Sequence, residues 1–124
     1  MAESKRERVI CGLVCCVVLM GLAADAASGA VRTQTFTYKQ VDNLEIKADV
    51  YRADDEKARP VVVWIHGGAL IMGGREGVNG RVKKMFLDAG YAIVSIDYRL
   101  APETKLPGII EDVEDAFKWI REKG

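Results

Sequence analysis

Beyond its first 28 residues this chain of 124 residues has no cysteine, a single serine (Ser95) and a single histidine (His66). Cys11, Cys15 and Cys16 all fall in the opening segment. The remainder can therefore build neither a disulfide nor a thiolate metal site, and it must rely on packing alone. An excess of charge of either sign is missing as well. Lysine plus arginine number 18 and aspartate plus glutamate number 18, so no basic excess points to nucleic acid and no acidic tail is present. A chain of this length makes at most one small domain, and it shows no internal repeat or low-complexity stretch.

The opening segment differs from the rest. Lys5, Arg6 and Arg8 precede an apolar run from Val9 to Ala24, which ends in the small residues Ala24-Asp25-Ala26-Ala27-Ser28. A positive start, an apolar core and an A-x-A-like end predict a secretory signal peptide over residues 1–28, and hence a secreted or periplasmic product. An uncleaved membrane anchor and a core helix are the alternatives. As a helix the run spans about 24 Å at roughly 1.5 Å per residue, short of the roughly 30 Å hydrocarbon layer. Any membrane contact is expected only through an uncleaved leader.

Residues 29–124 read as one partial α/β domain. Two β-rich segments, 31–38 and 44–51, are expected to pair antiparallel. Leu44, Ile46, Ala48 and Val50 alternate with Glu45, Lys47 and Asp49, which predicts one solvated face. Residues 53–60 make a charged surface turn closed by Pro60. By contrast, 61–65 (VVVWI) and 91–96 (YAIVSI) are almost continuously apolar, as strands covered on both faces are, which suggests a parallel pair. Between them, 80–90 places Val82, Met85, Phe86 and Ala89 on one helical face and stops at Gly90, giving a strand–helix–strand crossover. The last segment sets Ile110, Val113, Phe117 and Ile120 at helical spacing. Acids lie early and bases late, with Gly124 where a cap would stand. Trp64 and Trp119 are expected in the core.

Two motifs carry chemistry. The first, His66-Gly67-Gly68-Ala69, follows the third strand directly. A glycine-rich turn there can bring backbone N–H groups against an anion. A phosphate-binding loop would need G-x-x-x-x-G-K-[ST]. Gly68 and Gly73 have that glycine spacing, but Gly74 and Arg75 replace the lysine and the hydroxyl residue. Acyl transfer needs only amides aimed at the oxyanion of a tetrahedral intermediate, which an HGGG-type turn provides. A purely structural glycine turn is the plainer alternative. The second motif is DYRLAPE, Asp97 to Glu103, directly after the fourth strand.

HGGA, then DYRLAPE some thirty residues later, then LPGIIEDVEDAFKWI, together resemble the α/β-hydrolase fold. The likeness is to the carboxylesterase branch related to hormone-sensitive lipase, over roughly residues 40 to 124. The resemblance implies a three-layer α/β/α hydrolase fold, of which this is the N-terminal half with about four strands and two helices. It also implies that the amides of Gly68 and Ala69 form two arms of an oxyanion hole, with Gly67 letting the loop fold back. Alanine stands where the family motif has its third glycine. His66 would anchor the loop rather than act as a base. Asp97, Arg99 and Glu103 would hold the turn below the site through charge-assisted hydrogen bonds, an ordinary exposed charge cluster being the alternative.

An esterase of this kind needs a serine in G-x-S-x-G, then an acid, then a histidine. Ser4 and Ser28 belong to the leader, Ser95 lies in a strand without flanking glycines, and His66 is already in the loop. The expected function is thus an N-terminal fragment of a secreted serine carboxylic-ester hydrolase, inactive alone. It would need no cofactor and no metal, and the full-length family would act on small-molecule esters. A missing C-terminal half or self-association would supply the partner. A non-catalytic exported binding or scaffold protein on the same partial fold is the alternative.

Overall fold

A computed structural model describes residues 29–123; the expected leader, 1–28, and the expected cap at Gly124 lie outside the described residues. Four strands form one mixed sheet in the order β1-β2-β4-β3. They are β1 (Val31–Val41), β2 (Leu44–Ala53), β3 (Val61–Ile65) and β4 (Ala92–Ile96). Helix α1 (Gly80–Asp88) joins β3 to β4, and α2 (Leu106–Lys123) closes the described chain. The first two strands pair antiparallel, β2 pairs antiparallel with β4, and β3 runs parallel to β4. This is the N-terminal part of an α/β-hydrolase fold, as the sequence predicts.

Alternation along the strands sends each residue to one of two cores. Ala48, Val94 and Ile96 pack on one face with Ala116 of α2, joined by Val50, Val63, Val113 and Ile120. Tyr51 and Ile93 pack on the other face with Val78, against Val62, Trp64, Phe86 and Leu87. Every residue of β4 is buried, because the strand is paired on both edges and covered on both faces. Each isoleucine buried there contributes about 1.5–3 kcal/mol.

The structure corrects three expectations. β3 is not covered like β4: it is an edge strand among the described residues, with Val61 and Ile65 exposed. The polar face of β2 is not solvated throughout, since Asp49 and Tyr51 are buried where α1 and the 3₁₀ turn Arg75–Gly77 lie across it. Both helices bury faces that match expectation only in part: Phe86, Val113 and Ile120 pack inward as expected, but the rest of each face is rotated. In α1 Met85 and Ala89 are exposed while Phe86 and Leu87 turn inward. In α2 Ile109, Asp112 and Ala116 are buried, leaving Ile110 and Phe117 exposed. The rotation of α2 follows from Asp112, whose carboxylate receives two cations inside the fold.

That carboxylate is central to the α2 face. Arg99 grips Asp112 through Nε and Nη2, both at 2.7 Å, and its amide donates to the same group at 3.0 Å. Lys39 Nζ lies 2.9 Å from Asp112 and 2.8 Å from Asp115. A bulge in β1 between Thr37 and Lys39 lets Tyr38 and Lys39 both reach this side. Burial alone would raise the Asp112 carboxyl, but Arg99 and Lys39 hold it below the usual carboxylate range.

Candidate active site

At the end of β3 the chain leaves the sheet at His66 and runs as a loop to the 3₁₀ turn that begins at Arg75. Gly68 has φ 114°, Ala69 φ 53° and Leu70 φ 65°, so three successive residues take positive φ. Only Gly68 does so without steric cost, and a Cβ there would overlap the Met72 carbonyl. The turn closes when Ile71 and Met72 both donate to the Gly68 carbonyl, at 3.0 and 3.1 Å. Among the described residues no acceptor pairs with the amides of Gly68 and Ala69. Two unpaired N–H groups on a fixed turn at the C-terminal end of a parallel strand can receive developing negative charge.

The entry to the loop is buried. His66 stacks on Tyr98 with ring centroids 4.2 Å apart and planes 6° from parallel. Its Nδ1 donates to the Gly67 carbonyl at 2.8 Å, the tautomer following from that acceptor. Tyr98 Oη donates to the His66 carbonyl at 2.8 Å, and burial pushes its phenol pKa up. Further along, the Ala101 amide donates to the Leu70 carbonyl at 2.8 Å. The segment after β4 therefore forms the floor of the loop.

The exit is held by charge. Asp97 accepts from the Arg75 amide at 2.8 Å and from its Nη1 at 2.5 Å. Asp49 accepts from Arg75 Nε at 3.0 Å and from Thr35 Oγ1 at 2.7 Å. The hydrogen bond to Asp97 and then that to Asp49 raise the Arg75 pKa against the effect of burial. Tyr38 Oη donates to the Asp97 carbonyl at 2.6 Å, and burial, then Asp112, Asp97 and Asp115, raise its pKa strongly.

Among the residues expected at the site, His66, Gly67, Gly68 and Ala69 form the turn, and Asp97 sits beneath it. Arg99 reaches away from the loop to Asp112, so the two charges of the DYR motif brace opposite faces. Glu103 departs from expectation: it is exposed to water and no ion pair or hydrogen bond joins it to another described residue. Arg75 and Asp49 were not among the expected residues. The sequence hint for Arg75 was its place directly after the second glycine pair. Ser95 is wholly buried and its Oγ donates to the Arg75 carbonyl at 2.7 Å. With Ser95 so used and His66 facing its own loop, the described residues hold no serine–histidine pair. Two surface clefts, of ≈ 300 and ≈ 460 Å³, include no residue of the 66–74 loop.

Solved structures share this fold. A bacterial heroin esterase is 29% identical with a TM-score of 0.63, over 73% of this chain and 29% of the esterase. An esterase from Pyrobaculum calidifontis is 36% identical with a TM-score of 0.60, over 75% of this chain and 30% of that one. Similar sequences also occur in fungal non-reducing polyketide synthases. One is trt4 of Aspergillus terreus, 43% identical over 78% of this chain; another is adrD of Penicillium rubens, 37% identical over 96% of it. The chain spans only 4% and 5% of those two synthases. Fold and neighbours together define an esterase-like α/β-hydrolase, represented by its N-terminal part. More particularly, the chain belongs to the BD-FAE family, whose model matches residues 48–124.

Proposed function

We propose that this chain supplies the oxyanion-forming part of a secreted serine carboxylic-ester hydrolase. The observation that carries the reading is the pair of acceptor-free amides, Gly68 and Ala69, on a turn fixed at both ends. In acyl transfer a serine attacks the ester carbonyl, and the carbonyl oxygen becomes an oxyanion that two such N–H groups stabilise. Losing one donor of this kind typically costs about 10²–10³ in rate. Gly67 leaves the approach open, His66 anchors the loop without acting as a base, and Asp97 holds the floor. No step calls for a metal or cofactor.

The nucleophile, acid and base come from a complementary C-terminal piece in this reading. The free edge of β3, with Val61 and Ile65 exposed, is where a further strand would pair. Residues 1–28 direct export and are removed, leaving an N-terminus between Ala27 and Val31 that mass spectrometry of secreted protein would read. The chain alone is expected to turn over no p-nitrophenyl acetate. Adding a C-terminal hydrolase piece carrying the G-x-S-x-G serine, the acid and the histidine restores turnover. A complemented, folded pair with no turnover would overturn the reading.

A further inference from the structure

We infer that Arg75 is the positioning residue of the 66–74 loop, fixing where the Gly68 and Ala69 amides point by tying the loop exit to β2 and β4 together. The inference rests on the acyl-transfer reading for its catalytic meaning, though not for its geometry. Gly67, Gly68, Gly73 and Gly74 make the loop backbone permissive, so beyond its own turn at Gly68 and the Ala101–Leu70 bond its course depends on the anchors at its two ends. The entry anchor is the His66–Tyr98 stack, which joins the loop only to the segment after β4. Among the described residues, Arg75 is the one whose hydrogen bond extends the attachment to β2. Its Nε meets Asp49 at 3.0 Å, its Nη1 and amide meet Asp97 at 2.5 and 2.8 Å, and its carbonyl accepts from Ser95 at 2.7 Å. Backbone and side chain are therefore fixed at the same residue.

The partners were placed for this role. Asp49 is 7% exposed, and its other contacts, Thr35 Oγ1 and Tyr51 Oη, are neutral. Arg75 is the cation that makes a buried carboxylate tolerable there. Asp49 and Asp97 approach different nitrogens of one planar guanidinium, while Nη2 reaches Glu76 at 3.2 Å. A lysine ammonium is a single point charge on a differently shaped stem and cannot reproduce that fork.

Backbone order parameters from ¹⁵N relaxation on the whole chain test this at the amides concerned. In the wild type Gly68 and Ala69 should lie near the value of about 0.85 typical of rigid backbone. In Arg75→Met they should fall below about 0.6. Val94 and Ile96 in β4 should stay unchanged, and Arg75→Lys should restore an intermediate value. Unchanged order at Gly68 and Ala69 in Arg75→Met, or loss shared equally by β4, would overturn the assignment, as would Arg75→Lys keeping wild-type values. If Arg75→Met does not fold, Arg75→Lys decides: reduced order confined to the loop supports the role, and wild-type values refute it. Ester turnover plays no part in this readout. An inactive complemented protein would thus sink the acyl-transfer reading alone, and an indifferent loop would sink the Arg75 assignment alone.

Discussion

The two ion clusters, one on each face of the sheet, use the same chemistry for different ends. On the α2 face the wholly buried Asp112 sits between Arg99 and Lys39, welding a helix to β1 and to the turn after β4. On the α1 face a partly exposed Arg75 sits between Asp49 and Asp97, welding a loop to β2 and to that same turn. One cluster surrounds an acid with cations; the other surrounds a cation with acids. The burial differs too. Asp112 has no access to water that could replace a lost partner, whereas Arg75 and Asp97 keep part of their side chains in solvent. The α2 cluster should therefore govern whether the chain folds, and the Arg75 cluster should govern where the loop lies.

The largest effect expected from that contrast is Asp112→Ala. It strands Arg99 and Lys39 in a largely buried site, and removing one partner of a buried pair costs about 3–5 kcal/mol. Urea unfolding would show this as a shift of the midpoint to lower denaturant. Arg75→Met should shift it less. Equal shifts would erase the distinction between the two clusters.

Acid should expose the same difference. The Asp112 carboxyl is held below its ordinary value in the folded chain despite burial, by Arg99 and Lys39, and Lys39 and Lys118 hold Asp115 down likewise. A depressed folded pKa lends stability that is complete above the unfolded value of about 3.9. That stability drains away as pH falls through the folded value. Unfolding free energy should thus decline below about pH 4, and Asp112→Asn should flatten the decline. A slope unchanged by Asp112→Asn would place the acid sensitivity elsewhere.

Within the loop, Gly68→Ala should cost about 1–3 kcal/mol, the range for a side chain forced into an unfavourable backbone region. Its new methyl would also overlap the Met72 carbonyl. Gly67→Ala is the control, because a Cβ there meets nothing within 4 Å. Thermal unfolding of the two variants should separate them clearly, and similar melts would mean that the turn is looser than its hydrogen bonds imply.

How much of this was legible in the sequence depended on range. Apolar runs announced β3 and β4 and their parallel pairing, because a strand's period is local. That β3 lies at an edge was not legible, since edge position depends on which strand lies beyond. The HGGA turn and the DYR segment could be named from their residues, yet the partner of each charge could not. Asp49 looked like a solvated residue on an alternating strand until Arg75 was found across it. Asp112 looked like one acid in a run of helix acids. Its burial comes from Arg99, thirteen residues earlier, and from Lys39, which a bulge in a distant strand presents. Periodicity finds faces, but only tertiary contact finds which polar residue belongs on the inside.

The smallest expected effect bears most directly on catalysis. Ser95 is the one serine among the described residues, and its hydroxyl is already committed to the Arg75 carbonyl beneath the loop. It is wholly buried, and the carboxylate across from it, Asp49, is held by Arg75 and Thr35. Ser95→Ala removes one donor to the Arg75 carbonyl, so the loss should be about 1 kcal/mol, that of one hydrogen bond. Background ester hydrolysis by the chain alone should not change at all. If a measurable turnover of p-nitrophenyl acetate were found and Ser95→Ala abolished it, the loop would be serving a nucleophile from within this chain. The reading of a separate catalytic piece would then fail. If instead the variant simply melts slightly earlier, Ser95 is a strut under Arg75, and the proposal of a nucleophile from outside the described residues stands.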